Sequence, residues 1–276
     1  MGHRPIIVHP TDFAPGDEAA MVHAVAMALA SKSELRLLLV RADSESFYSP
    51  TQGLRKVRDL LVAWGRLNAD AAYDRWQQEV DLQVSSVSIA ARNARAGILE
   101  YLQDTFCNLV VLANYPNKAL TRWLDASVHG HLLRKGRMMS LFLRAGQRGF
   151  VDPSTGSLTL ARILMPIAAG VDSVPALRRI QAMLALVGHG AEIVLLHVGE
   201  QPPDLLGGNG APLDMPILLR QGGVVETILS VAAELGVGAI AMPTAGRHGL
   251  LDAVRGSASA KVLEDGRWPL LAVPVG

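Results

Sequence analysis

Between Thr244 and Leu263 the chain reads TAGRHGLLDAVRGSASAKVL. Three glycines, Gly246, Gly249 and Gly256, fall in a loop between an apolar strand-like run and a helical stretch opening at Ser257. Glycine tolerates positive φ and carries no Cβ, so an anion can approach the main chain closely. Several N–H groups can then converge on it, helped by the unsatisfied amides and partial positive charge of a helix N-terminus. Ser257 can cap that helix or donate to a phosphate oxygen. Arg247, His248 and Arg255 are further donors. The same residues also read as an ordinary connection, with glycines bending the chain and Ser257 serving only as the N-cap. The loop taken alone leaves both readings open.

Other chemistries find less support. His129 and His131 are two apart, on different sides of any helix, so no shared metal is expected. His9 and His197 lie in or at the ends of apolar runs and read as hydrogen-bonded core histidines rather than ligands. Cys107 is the only cysteine, which excludes an intrachain disulfide and a thiolate cluster. Within FCNLVVLAN it reads as a small core residue entering a strand. Ser257 has no G-x-S-x-G setting, and no carboxylate pair or metal cluster has familiar spacing. No catalytic or metal residue is therefore assigned.

The elements that must position the loop follow from the rest of the chain. Its 276 residues suit two units of about 140 residues each. Half of the chain is hydrophobic, only 18% is charged, and the mean hydropathy of +0.25 implies apolar interfaces within or between chains. The net charge is +1 with no basic block, so neither nucleic acid nor an anionic membrane is an expected partner. The N-terminal MGHRPIIVHPTDF runs directly into a strand-like segment without a signal-peptide h-region, and a cytoplasmic location is expected.

The chain repeats itself. RPIIVHPTDFAPGDEAAMVHAVAMALASKSELRLLLVRA resembles ARILMPIAAGVDSVPALRRIQAMLALVGHGAEIVLLHVG, which begins at Ala161. In both, an apolar run ends in proline, Pro10 or Pro166, and a polar turn, a helical stretch and a second apolar run follow. Later, CNLVVLANYPN parallels VGAIAMPTAGRHG, and RMMSLFLRAG parallels RWPLLAVPVG. The boundaries predicted are 1–145 for the first domain, 146–158 for a linker rich in Gly, Ser, Thr and Pro, and 159–276 for the second domain. Continuous apolar strands such as LRLLLV and IVLLHV indicate parallel sheets covered on both faces. Met21, Val22, Val25, Ala28 and Leu29 form one helical stripe, and Leu177, Ile180, Met183, Leu184 and Val187 form its counterpart. Right-handed βαβ crossovers and doubly wound, Rossmann-like sheets follow. The first copy carries a long helical segment near Leu54 to Gln78; the second has a Pro/Gly-rich loop there, then PILLRQGG as its third strand.

With PTDF closing a first strand, LLHV in a second, a glycine loop, a Gly-Ser helix start and PLLAVP as the last strand, the chain resembles a tandem universal stress protein. The resemblance covers both copies and implies two five-stranded parallel α/β domains, paired antiparallel through their last strands, SLFLR and LLAVP. It also implies ATP held over the C-terminal edge by Gly-x-x-Gly, nine residues, then Gly-Ser or Gly-Thr, with an aspartate after the first strand. The second copy has Gly246-Arg247-His248-Gly249 and Gly256-Ser257, but only six residues between them and Ala168-Ala169 in place of the aspartate. The first keeps Asp12 and Ser127, but Asn114-Tyr115-Pro116-Asn117 replaces the glycine opening, and Asp125 would repel phosphate. Pro116 cannot donate an N–H. Asp12 there reads as a turn residue closing an Asx-type bend. The S-G-G-x-D-S type loop of the related ATP pyrophosphatases is absent from both PTDFAPGD and PIAAGVDS.

The resemblance thus implies a stress-response sensor or adaptor that binds an adenine nucleotide, ATP with or without Mg2+, in its second domain. Hydrolysis would be slow and incidental. The alternative is an interaction scaffold that binds no nucleotide, with its function in the dimer surface and loops; an enzyme using the crevice between strands ranks last. A further homodimer of such chains and an unspecified protein partner are compatible with the apolar surplus.

Overall fold

The computed structural model describes residues 4–13, 15–41, 50–72, 74–92, 94–114, 138–144, 146–147, 149–206, 213–244 and 258–275. They form two α/β units, Met1–Trp123 with Leu143–Thr159, and Leu124–Phe142 with Leu160–Gly276.

The first unit contains strands β1 (Ile6–Pro10), β2 (Glu34–Arg41), β3 (Gln83–Ala90) and β4 (Leu109–Asn114). They lie in the order β3-β2-β1-β4, and every pair is parallel. All five residues of β1 are buried, which is why its sequence is apolar without alternation. Helix α1 (Glu18–Ser31) packs on β1, β2 and β4, and the small side chains of Ala20, Ala24, Ala26 and Ala28 let it lie close to the sheet. It ends where Lys32 turns left-handed, at φ 52°. The helical stretch expected near Leu54 to Gln78 is two helices, α2 (Pro50–Ala63) and the single turn α3 (Trp76–Glu79). Gly65, at φ +66°, redirects the chain after α2, and the Asn68 side chain accepts from Asp70 N at 3.1 Å to hold the next turn. Trp76, only 1% exposed, anchors α3. Helix α4 (Ala94–Asp104) leads into β4.

The Gly/Ser/Pro-rich stretch over residues 149–159 belongs to the first unit. Phe150 and Val151 are buried, and Val151 bridges Leu158 antiparallel. Phe150 N donates to His23 Nε2 at 2.9 Å, and the two rings meet edge to face at 4.6 Å. His23 Nδ1 donates to Ala19 O at 2.7 Å. Both ring nitrogens are therefore committed to the neutral form, and burial pushes the His23 pKa down to about 4. The folded state thus binds this proton less readily than the unfolded chain. The stabilisation is complete above pH 6.5 and is lost as pH falls toward 4, by about 3 kcal/mol in all. Urea unfolding at pH 7 and pH 4 is expected to show this loss, and His23→Gln to flatten that part of the profile.

The second unit contains β5 (Met139–Arg144, through Phe142), β6 (Arg162–Pro166), β7 (Glu192–Val198), β8 (Ile217–Arg220), β9 (Ala239–Thr244) and β10 (Leu270–Pro274). The order β8-β7-β6-β9 repeats β3-β2-β1-β4, and β10 continues it in parallel. Helices α5 (Val174–Leu186), α6 (Val224–Glu234) and α7 (Ala258–Asp265) connect the strands. Between β7 and β8 the described residues hold no helix, whereas the first unit has α2 and α3 at that point. Strand β5 pairs antiparallel with β10, setting Leu141 opposite Leu271 and Phe142 opposite Leu270. The paired residues are those of SLFLR and LLAVP that the resemblance set side by side, and here they pair within the second unit.

Candidate functional site

Each unit continues the pairing of its first strand one residue past the proline. Thr11 N donates to Leu38 O at 3.0 Å, and Ile167 N to Leu196 O at 2.8 Å. Counted from this shared feature, Ala168 occupies the position of Asp12, Ser173 that of Asp17, and Met165 that of His9. The two C-terminal rims therefore carry different chemistry on one backbone plan.

In the first unit the rim holds a buried polar network. His9 is fully buried in β1; its Nδ1 donates to Val111 O at 2.9 Å, and its Nε2 faces Asp17 Oδ2 at 3.3 Å. Thr11 Oγ1 donates to the same Asp17 oxygen and accepts from Phe13 N at 2.9 Å. Burial alone would lower the His9 pKa, but the charge and hydrogen bond of Asp17 reverse that and hold it above its ordinary value. Burial would raise the Asp17 pKa, but His9 and then Thr11 hold it below the usual carboxylate range. Each partner thus favours the charged form of the other. The expectation that His9 is a hydrogen-bonded core residue describes its burial, while its Asp17 partner goes beyond that reading. Asp12 follows β1 at the rim, partly buried, and its charge also acts on His9. Phe13 has φ 54°, a left-handed conformation that costs a non-glycine residue about 1 kcal/mol or more.

In the second unit the corresponding rim is bare. Ala168, Ala169 and Gly170 are exposed, and Gly170 turns at φ +76°. Asp172 Oδ1 accepts from Val174 N at 3.0 Å, an Asx-type turn that leads into α5, whose N-cap is Ser173. His197 is buried and its Nδ1 donates to Ile167 O at 3.0 Å, as a core histidine. At the end of β9, Thr244 Oγ1 is buried without a hydrogen-bond partner among the described residues. Thr244 and the start of α7 at Ala258 bracket the glycine loop, which connects a strand C-terminus to a helix N-terminus. Gly246, Arg247, His248, Gly249, Gly256 and Ser257 themselves lie outside the described residues, as do Arg255, Ser127, Asp125, His129 and His131.

Cys107 is buried, and burial pushes its thiol up to about 12, so it is an inert core residue. Among the described residues no group of His, Cys, Asp and Glu is arranged to hold a metal ion. None of their helices is long and apolar enough to cross a membrane.

Sequence comparison matches residues 4–142 and 209–274 to the Universal stress protein family. The chain belongs to that family. The matched residues leave out 143–208, which contain β6, α5 and β7 of the second unit. No curated protein matches this universal stress protein by sequence. Among solved structures, a universal stress protein from Archaeoglobus fulgidus DSM 4304 is 14% identical, with a TM-score of 0.61, over 99% of this chain and 97% of that one. A functionally unknown protein from Pseudomonas aeruginosa PAO1 is 15% identical, with a TM-score of 0.65, over 98% and 92% of the two chains. A protein from Pseudomonas aeruginosa UCBPP-PA14 assigned to the same family is 16% identical, with a TM-score of 0.62, over 99% and 94%. At these identities the likeness is one of fold.

Proposed function

We propose that this universal stress protein is a cytoplasmic stress-response sensor or adaptor that binds an adenine nucleotide at the rim of its second unit. The ligand is ATP, alone or with Mg2+, and any hydrolysis is slow and incidental. The observation that carries this reading is the connection from β9 to α7. It leaves a strand C-terminus, contains Gly246, Gly249 and Gly256, and ends at Ser257 immediately before the first residue of α7. Backbone amides there, with the N-terminal end of α7, suit a phosphate chain. Two further observations support it: the buried Thr244 hydroxyl at the end of β9, which has no hydrogen-bond partner among the described residues, and the exposed Ala168–Gly170 rim. The domains are proposed as 1–145 and 159–276 joined by 146–158, with Asp12 and Ser127 remaining in the first copy as a degenerate form of the site.

The second reading, an interaction scaffold that holds no nucleotide and forms a homodimer or takes another protein partner, draws on Ala168 standing where Asp12 stands in the first unit. Exposed Leu206, Leu219 and Val224 in the second unit add to it. One titration separates the two readings. The purified protein is denatured to assay released nucleotide, and the apo form is titrated with ATP and magnesium. The proposal expects saturable binding that Gly249→Asp weakens at least tenfold, because the added carboxylate opposes phosphate where a bare amide attracts it. Binding that survives Gly249→Asp places the ligand elsewhere, and no binding at all leaves the scaffold reading.

A further inference from the structure

We propose that a cavity between α1 and α2 in the first unit is a binding site for a small ammonium ion with an apolar body. The cavity has a volume of about 330 Å³, enough for a ligand of one ring. Its apolar lining comes from Met21 and Val22 on α1 and from Leu60 on α2. Its polar lining is dominated by carboxylates, Asp17, Glu18 and Asp59, against the single ammonium of Lys56. Even with His9 counted behind Asp17, negative charge prevails. An anion is disfavoured there, and a cation with a hydrocarbon body is complementary to both parts of the lining.

Two features make this a shaped site rather than a scatter of surface acids. The first is Asp17, whose side chain is only 6% exposed. His9 and Thr11 both engage its Oδ2, which fixes the carboxylate, while Oδ1 makes none of the described hydrogen bonds. A buried carboxylate oriented through one oxygen leaves the other for a ligand N–H, in the way that outer hydrogen bonds orient a binding group. The second is Phe13, held at φ 54° with its ring at the cavity. The Nζ of Lys56 stands 4.9 Å from that ring's centroid and its charge acts on Asp17. An alkylammonium on a flexible stem thus already rests against a ring face and within the field of a carboxylate, the combination that recognises organic cations. A free amine takes the same station when the exposed Lys56 side chain swings out to solvent. The second unit has Met165 and Ser173 in place of His9 and Asp17, so the arrangement is peculiar to the first unit and independent of the nucleotide reading.

The test uses the full chain and ligand-observed NMR with benzylamine, benzyl alcohol and benzoate, isosteres that differ in charge. Benzylamine is expected to bind at least tenfold more tightly than benzyl alcohol, and benzoate not to bind. Leu60→Trp, a substitution at a partly exposed lining position, fills the cavity and is expected to abolish binding. Lys56→Gln removes the internal competitor and is expected to tighten benzylamine binding several-fold, an effect that a purely structural lysine would not produce. The proposal is overturned if benzylamine fails to bind, if benzoate or benzyl alcohol binds equally well, if Leu60→Trp leaves binding unchanged, or if Lys56→Gln weakens it. ATP that displaces benzylamine from the Gly249→Asp variant would assign the cavity to the nucleotide and would also overturn it.

Discussion

Asp17→Ala is expected to destabilise the first unit by about 3–5 kcal/mol, the usual cost of removing one member of a buried charge pair. The carboxylate lost is the one that faces His9 Nε2 at 3.3 Å and accepts from Thr11. Without it the His9 imidazole stays fully buried with only the weaker charge effect of Asp12 left to it, and burial, the largest influence on its pKa, then favours the neutral form. The pair also has a pH signature. The raised His9 pKa contributes stability that is complete below 6.5 and lost as pH rises through the folded value. The lowered Asp17 pKa contributes stability that is complete above 3.8 and lost as pH falls through its own folded value. The pair is therefore most stabilising between those limits, and Asp17→Ala removes both flanks. Chemical unfolding across pH checks this, with Asp17→Asn, which keeps the shape and the hydrogen-bonding capacity, as the milder comparison. A loss below 1 kcal/mol in Asp17→Ala would mean that the two groups do not form a coupled pair.

Trp64→Ala is expected to cost a similar amount, about 3–5 kcal/mol, and to release the 149–159 stretch. Trp64 is 8% exposed and its Nε1 donates to Pro153 O at 2.9 Å. Gly156, at φ +67°, lies against the indole face so closely that an added Cβ would overlap the ring. Removing the indole opens a cavity and leaves the Pro153 carbonyl without its donor. Amide exchange is expected to speed up across residues 150–159, while Trp64→Phe, which keeps an aromatic ring and loses the hydrogen bond, should cost nearer 1 kcal/mol. Unchanged exchange in Trp64→Ala would show that the stretch is held by other contacts, His23 with Phe150 foremost among them.

Most of the fold is legible in the sequence, because parallel strands covered on both faces announce themselves as uninterrupted apolar runs. IIVHP and LLAVP are each buried over their whole length, and the paired prolines at 10 and 166 mark equivalent strand ends. The break between α2 and α3 is not legible in the same way. Helical apolar spacing persists through the region, and it is the Gly65 turn and the burial of Trp76 that divide it. Composition is equally silent on the tertiary role of the 149–159 stretch. Its glycines and prolines signal a connection, but only packing brings Phe150 to His23, a partner 127 residues away.

The candidate sites divide along the same line. Equivalence of Asp12 with Ala168 is recoverable from the repeat alone, and the strand pairing around Thr11 and Ile167 is consistent with it. The His9–Thr11–Asp17 network is not legible in the sequence, although HPTDFAPGD holds all three residues. Their convergence depends on the tight bend that follows β1, where Phe13 adopts an uncommon conformation that no propensity favours. Lys56 joins them from another helix, and no local spacing could place it there.

Photolabelling with 8-azido-ATP followed by peptide mapping tests the nucleotide assignment most directly. Label is expected on peptides from the rim of the second unit, around residues 166–173 and the connection between Thr244 and Ala258, competed by ATP and lost in Gly249→Asp. Label confined to peptides of the first unit, around Asp12, would contradict it.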